Sequence, residues 1–245
     1  MREIATGPGG QVAAVVTDRG SIPADVVVLG LGVRPETGLA GAAGLPLGST
    51  GGLVTDRQMR VTGPGGWVDG VWAAGDCVQT THRVSRAPVH VALGTHAVKQ
   101  GRVAGVNIGG GYATFPGVLG TAVTKVCGLE VARTGLGERE AERAGFRYAT
   151  ATVESTTRAG YLPDAPGITI KLIAEQRSGR LLGAQIVGQE GSAKRIDTLA
   201  TALWHEMTVE DIANLDLSYA PPFGPVWDPV LIAARKAWDA VVAAS

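Results

Sequence analysis

A short apolar run that ends on a glycine and a carboxylate constrains this chain more than any other feature. Gly70-Val71-Trp72-Ala73-Ala74 leads directly into Gly75-Asp76-Cys77. A run so short and apolar predicts a strand over Val71 to Ala74, buried on both faces as in a parallel or α/β sheet. Open α/β sheets bind ligands at the C-terminal edge of their strands. Gly75 at that edge would let a ligand come against the backbone. Asp76 would accept hydrogen bonds from hydroxyls. Taken by itself, a strand–Gly–Asp segment reads better as a structural turn, so its meaning depends on what surrounds it.

The rest of the first third reads as short strands and turns. Val12 to Thr17 is a strand candidate closed by the turn Asp18-Arg19-Gly20. Ala24 to Leu29, bounded by Pro23 and Gly30, predicts a second strand buried on both faces. Residues 34–70 are rich in Gly, Pro and Thr, with a brief strand at Leu53 to Thr55. A helix is expected over about Val91 to Ile108. On it Gly94, Ala97, Gly101, Ala104 and Gly105 share one face. Each interior glycine costs about 1 kcal/mol relative to alanine. A face of small residues therefore implies either close approach by a backbone or flat ligand, or plain helix–sheet packing. Glycine supplies 36 of 245 residues, about twice the average share, which places many of them at turns.

At Gly109-Gly110-Gly111 the character changes, and a domain boundary is expected there, between residues 1–111 and 112–245. Strands follow at Ala122–Val126, Leu129–Thr134, Tyr148–Ser155, Ile168–Glu175 and Arg180–Val187. Ile168, Ile170, Leu172 and Ala174 alternate with Thr169, Lys171, Ile173 and Glu175, as in a half-exposed antiparallel strand. Arg177-Ser178-Gly179 predicts a hairpin turn into Leu181. A short helix is expected from Glu138 to Ala144, stopped by Gly145. A longer one should start with Ser192 as its cap and place Ile196, Leu199, Ala200, Leu203 and Trp204 on one face. A last helix should follow Asp228, with Pro229 in its first turn. The expected fold is α/β plus α+β: an α/β first part, then an α+β domain with an antiparallel sheet.

Lys plus Arg equals Asp plus Glu at 22 each, which gives no electrostatic reason to expect nucleic acid or an anionic membrane as partner. No apolar run approaches the roughly 18 residues of a membrane span, and Met1-Arg2-Glu3-Ile4 does not open a signal peptide. A cytoplasmic location follows as the default. His82, His90, His96 and His205 show no metal spacing, and no metal is expected. Cys127 is expected to be a buried small hydrophobe and Cys77 to be structural.

The ordered series around Gly75-Asp76 supplies the missing context. Upstream lies Ala24-Asp25-Val26-Val27-Val28-Leu29-Gly30-Leu31-Gly32-Val33-Arg34-Pro35-Glu36-Thr37. Gly52-Leu53-Val54-Thr55-Asp56 and Met59-Arg60-Val61-Thr62 lie between, and Ala97-Val98-Lys99-Gln100-Gly101-Arg102 follows. This series resembles the pyridine nucleotide-disulfide oxidoreductase family, whose members carry FAD and take hydride from NADH or NADPH. The resemblance implies that Gly32 and Pro35 belong to the crossover from the nicotinamide domain to the flavin domain. It implies that Gly75 and Asp76 bind the ribityl–pyrophosphate region. It also implies that Gly94, Thr95, His96 and Ala97 open the helix whose N-terminus faces the flavin, where the helix dipole favours negative charge.

The second half resembles the family's dimerisation domain, so the resemblance implies a partial FAD/NAD(P)-binding Rossmann-like domain followed by an α+β dimerisation domain, and a homodimer through residues 112–245. Lys194-Arg195-Ile196-Asp197 and Leu217-Ser218-Tyr219-Ala220-Pro221-Pro222-Phe223-Gly224 resemble the branch of coenzyme A-disulfide reductases and NADH oxidases and peroxidases. By that resemblance Tyr219 and Tyr161 are catalytic candidates, acting from the partner subunit, and Phe223 a flavin contact. From the residues themselves, a tyrosine before Ala-Pro-Pro is also readable as a buried interface tyrosine.

The family's G-x-G-x-x-G fingerprints and redox cysteine are not found in this sequence. Gly30-Leu31-Gly32 begins like one, but Pro35 occupies the last glycine position. The chain is expected to be the C-terminal part of an FAD-dependent NAD(P)H oxidoreductase acting on a coenzyme A disulfide-like substrate, oxygen or peroxide. The alternative is a catalytically inactive dimerisation or interaction module.

Overall fold

The computed structural model describes residues 1–244. The chain divides into two compact units, Met1–Arg34 and a second that starts at Pro35.

The first unit is a three-stranded antiparallel meander. Strands β1 (Glu3–Thr6), β2 (Val12–Thr17) and β3 (Gly20–Pro23) lie in that order. The Gly7 to Gly10 run and the Asp18-Arg19 turn connect them, as their glycines predict. The expected strand at Ala24 to Leu29 does not form. These residues carry no strand pairing, and Val26 and Val28 are exposed. An apolar strand is ordered by neighbours on both edges, and the described residues supply none beyond the Ala24 N–H bond to Ala13.

The second unit opens with helix α1 (Gly38–Ala42) and strands β4 (Leu53–Val54), β5 (Arg60–Gly63), β6 (Gly66–Trp72), β7 (Val78–Thr81) and β8 (Pro88–Val89). β4 pairs in parallel with β7, and β8 pairs antiparallel on the other edge of β7. β5 and β6 form a separate hairpin closed by Pro64-Gly65. This corrects the reading of Val71 to Ala74 as a doubly buried strand. Val71 and Trp72 end an exposed hairpin strand, and Ala73-Ala74 already belong to the loop. The Pro-Gly turn is a strong hairpin signal that the glycine-rich composition of the region obscured. Helix α2 (Gly94–Ile108) begins three residues later than expected, because Val91 to Leu93 stay extended. It buries Gln100, Val103 and Ala104, while Gly94, Gly101 and Gly105 are exposed. A hydrophobic cluster of Leu53, Met59, Val61, Val78, Val103, Phe115 and Val118 joins these elements.

A five-stranded antiparallel sheet dominates the remainder. Its strands are β9 (Ala122–Val126), β10 (Leu129–Gly135), β11 (Tyr148–Thr156), β12 (Gly167–Glu175) and β13 (Leu181–Gly188), in the order β11-β12-β13-β10-β9. All five expected strands are present. Ile168, Ile170, Leu172 and Ala174 point into the core, and Ile173 is buried on the other face as well. Gly183 sits where β13 passes β10. A Cβ there would lie 1.9 Å from the Leu136 carbonyl oxygen, so only glycine fits. Helix α3 (Glu138–Arg143) ends at Ala144-Gly145 as predicted.

Helices α4 (Ile196–Trp204), α5 (Val209–Ala213) and α6 (Pro229–Ala243) complete the fold, with α4 packed on β10 and β13 and α6 on β11 and β12. Asp228 accepts from the Val230 N–H at 2.9 Å and caps α6, with Pro229 in its first turn. The start of α4 differs from expectation. Ser192 has helical dihedrals and makes no side-chain cap, and a 3-10 turn at Ala193–Arg195 precedes the helix. The cap comes instead from β10: the Glu130 carboxylate accepts the N–H groups of Ser192 at 3.0 Å and Ala193 at 2.9 Å. Ile196, Leu199 and Leu203 are buried as expected, but Trp204 is exposed with Arg83 stacked on its ring at 3.9 Å. Cys127 is also exposed, not buried, because Cys127-Gly128 is the two-residue turn between β9 and β10. Among the described residues, no helix is long and apolar enough to cross a membrane.

Candidate functional site

The Gly75-Asp76 turn is held from three sides. Gly75 has φ +87°, a conformation that side-chain-bearing residues rarely adopt. Its N–H donates to Gln100 Oε1 at 2.8 Å, and Gln100 is buried on α2. The Val78 N–H closes the turn onto the Gly75 carbonyl at 3.2 Å, and the Leu53 N–H reaches the Cys77 carbonyl at 2.8 Å. His90 Nε2 lies 2.7 Å from the Asp76 main-chain oxygen. These contacts leave the Asp76 side chain free. It is exposed and makes no hydrogen bond or ion pair among the described residues. An anchored backbone with a free carboxylate suits acceptance of hydroxyl groups from a ligand.

Helix α2 starts beside this turn. A Cβ built at Gly75 would sit 3.6 Å from the Ala97 Cβ. Leu93 occupies the cap position and supplies no side-chain acceptor, so the first N–H groups of α2 have none from a cap. Gly94 and Thr95 are exposed. A Cβ at Gly94, Gly101 or Gly105 would meet nothing within 4 Å. Packing among the described residues therefore does not require those glycines. His96 Nδ1 is buried without a hydrogen-bond partner among the described residues. Burial lowers the His96 pKa, opposed by the Val91 carbonyl and helped by the Lys99 charge, which keeps the ring neutral near pH 7. An exposed carboxylate next to an uncapped helix N-terminus fits a ligand that carries both hydroxyls and negative charge.

The structure gathers a second group elsewhere in the fold. Tyr161 and Tyr219 are both exposed, and they lie on neighbouring segments. Partial desolvation raises the Tyr161 pKa, followed by the charge and hydrogen bond of the Tyr219 hydroxyl. The backbone beneath them is joined as well, with the Ala159 N–H on the Pro221 carbonyl at 3.0 Å. Phe223 belongs to this segment and is 80% exposed. No hydrogen bond among the described residues joins this group to the Gly75-Asp76 turn.

The remaining expected site residues stand as follows. Pro35 begins the second unit, with its Cγ 3.6 Å from where a Gly51 Cβ would lie. The neighbouring Thr37 hydroxyl donates to the Gly51 carbonyl at 3.1 Å. Gly32 is exposed in the first unit. Sequence reasoning missed Gln100 and His90, which fix the turn. Gln100 was legible in one respect: it is an uncharged polar residue on the face of α2 that buries Val103 and Ala104. His90 offered no such signal.

The family model described as pyridine nucleotide-disulphide oxidoreductase matches residues 2–101, and the model of that family's dimerisation domain matches residues 121–229. The NAD(P)H coenzyme A polysulfide/persulfide reductase of Pyrococcus horikoshii is 42% identical over 225 residues, 92% of this chain and 49% of the relative. The NADH oxidase of Methanocaldococcus jannaschii is 35% identical over 227 residues, 93% of this chain and 49% of the relative. The structure of a NAD-dependent persulfide reductase from A. fulgidus superposes with a TM-score of 0.89 at 43% identity, covering 97% of this chain and 43% of that one. The chain spans about half the length of the curated relatives it matches.

Proposed function

The chain belongs to the pyridine nucleotide-disulphide oxidoreductase family, and from that premise we propose that it is the C-terminal part of an FAD-dependent NAD(P)H oxidoreductase. The observation that carries this reading is the anchored Gly75-Asp76 turn beside the uncapped start of α2. FAD offers the ribityl hydroxyls and the negative charge that this arrangement suits. When bound, it would accept a hydride from NAD(P)H and deliver two electrons to an acceptor.

The roles of the chain's own residues follow from their placement. Asp76 would accept hydrogen bonds from ribityl hydroxyls, and Gly75 would keep the backbone clear for the adjoining pyrophosphate. The N–H groups at Gly94 and Thr95, with the dipole of α2, would stabilise negative charge on the reduced flavin ring. The open space beside Gly94 leaves room for that ring. We assign Gly32 and Pro35 to the crossover into the flavin domain and Phe223 to the flavin's surroundings.

Tyr219, with Tyr161, would donate a hydrogen bond to the sulfur or oxygen leaving the reduced acceptor, from one subunit of a homodimer formed through residues 112–245. We place the division of the chain at 111/112 and the protein in the cytoplasm. The similarity to a coenzyme A polysulfide/persulfide reductase and to a persulfide reductase favours a coenzyme A disulfide or persulfide over oxygen or peroxide as acceptor. The test is NAD(P)H consumption by the flavin-loaded protein with each of these acceptors in turn. Consumption that is fastest with the coenzyme A substrates supports the reading. No consumption with any acceptor contradicts it.

A further inference from the structure

The Lys194-Arg195-Ile196-Asp197 segment contains a side chain that the proposed reaction does not yet use. Arg195 is mostly buried, with 14% of its side chain exposed. Its guanidinium satisfies four acceptors drawn from three loops. Nη1 donates to the Gly191 carbonyl at 2.6 Å, and Nε donates to Asp228 Oδ2 at 3.0 Å. Nη2 alone reaches two segments: it donates to the Thr157 carbonyl at 2.8 Å and to the Phe223 carbonyl at 3.1 Å.

Those two carbonyls lie in the segments that carry the tyrosines. Thr157 opens the loop of Tyr161, which the Thr157 N–H closes on the Pro166 carbonyl at 2.8 Å. Phe223 lies in the turn after Tyr219, where its N–H meets the Ala220 carbonyl at 2.9 Å. Neither segment has regular secondary structure of its own between residues 157–166 and 217–228. Their mutual placement rests on the Ala159–Pro221 backbone bond and on Arg195.

We propose that Arg195 is the positioning residue of the tyrosine pair: its planar fork fixes the Tyr161 loop against the Tyr219 segment, so that the two phenols form one paired hydroxyl site. A guanidinium is suited to this role because its donors are rigid and divergent, while a lysine ammonium is a single point charge on a flexible stem. Asp228 serves both arrangements, since Oδ2 orients Arg195 while Oδ1 caps α6. The inference rests on the reading of Tyr219 and Tyr161 as site residues. It adds that their pairing depends on a residue that hydrogen-bonds to neither hydroxyl among the described residues.

The experiment uses the full chain with isotope-labelled tyrosine and follows the Tyr161 ring resonance, assigned by its loss in Tyr161→Phe. Tyr219→Phe is expected to shift that resonance by removing the neighbouring hydroxyl. Arg195→Lys should shift it similarly and abolish its further response to Tyr219→Phe. A folded Arg195→Lys protein whose Tyr161 resonance is unmoved, and still responds to Tyr219→Phe, overturns the proposal. Should Arg195→Lys not fold, Asp228→Asn provides the second arm, since it keeps the Oδ1 cap and withdraws the acceptor from Nε. An unmoved Tyr161 resonance in folded Asp228→Asn likewise overturns it. Failure of the functional reading has a different signature: Tyr219→Phe would leave turnover of the flavin-loaded protein unchanged while the spectral coupling through Arg195 persists.

Discussion

The main-chain N–H of Gly75 donates to the side-chain carbonyl of Gln100 across 2.8 Å, and this one bond ties the glycine–aspartate turn to the helix beside it. Gln100→Leu keeps the apolar packing of a buried helix position but removes the acceptor. An N–H left unsatisfied costs about 1–3 kcal/mol. The variant should lose stability in that range in urea unfolding, and it should bind FAD more weakly because Asp76 is no longer held. Unchanged flavin affinity would separate Gln100 from the site.

Gly183 tests the fold itself. A methyl group at this position would overlap the Leu136 main chain, 1.9 Å from its carbonyl oxygen. Gly183→Ala should therefore prevent folding or cost more than about 4 kcal/mol, the range reserved for severe core defects. A variant with near wild-type unfolding behaviour would contradict the β10–β13 register.

Stability should fall on the acid side of neutrality. His82 is buried, and its Nδ1 accepts from the N–H groups of Val84 at 3.2 Å and Ser85 at 3.4 Å. Burial lowers its pKa below 6.5, against the opposing Leu119 carbonyl and Glu140 charge. His96 is lowered too, again chiefly by burial. As pH drops through 6.5 the unfolded chain takes up protons that the folded chain resists. Stability is therefore full above that pH and declines below it, by at most about 1.4 kcal/mol per pH unit for each proton. His82→Asn retains an acceptor for the Val84 N–H without titrating, and should flatten the profile between about pH 7.5 and pH 5.5. Equal urea midpoints for the original protein at both pH values would contradict this account.

Tyr219→Phe should lower acceptor turnover more than flavin content, because its hydroxyl is exposed on a segment that makes no described hydrogen bond to the Gly75-Asp76 turn. Loss of a hydrogen bond made only in the transition state predicts a fall in kcat and in kcat/KM together. Equal turnover removes Tyr219 from the mechanism.

The parts legible in the sequence are those where one signal had one meaning. The alternation of Ile168, Ile170, Leu172 and Ala174 located β12, and Asp228-Pro229 located the start of α6. Strand Ala24 to Leu29 misled because its apolar residues report what they would bury, while strand formation depends on pairing edges elsewhere in the fold. Ser192 misled for a related reason. A local serine looked like the cap, but Glu130, distant in sequence, reaches the same N–H groups. Cys127 looked buried by residue type alone, and the two-residue turn decided otherwise. At the candidate site, residue type marked Gly75 and Asp76 as a turn, and their reading as ligand-binding residues came from the resemblance of the surrounding series. Gln100, His90 and Arg195 were not so marked, since their roles consist of contacts across 25, 14 and up to 38 positions of chain.

Flavin content in the Asp76→Ala variant tests the central claim most directly. Asp76 is exposed and unpaired among the described residues, so its removal should change stability by no more than about 0.5 kcal/mol. The account predicts that the protein purified from its complete gene carries FAD, seen as visible flavin absorbance, and that Asp76→Ala loses most of it while remaining folded. Flavin retained at the original level in Asp76→Ala, or a folded original protein that binds no flavin at all, would contradict it.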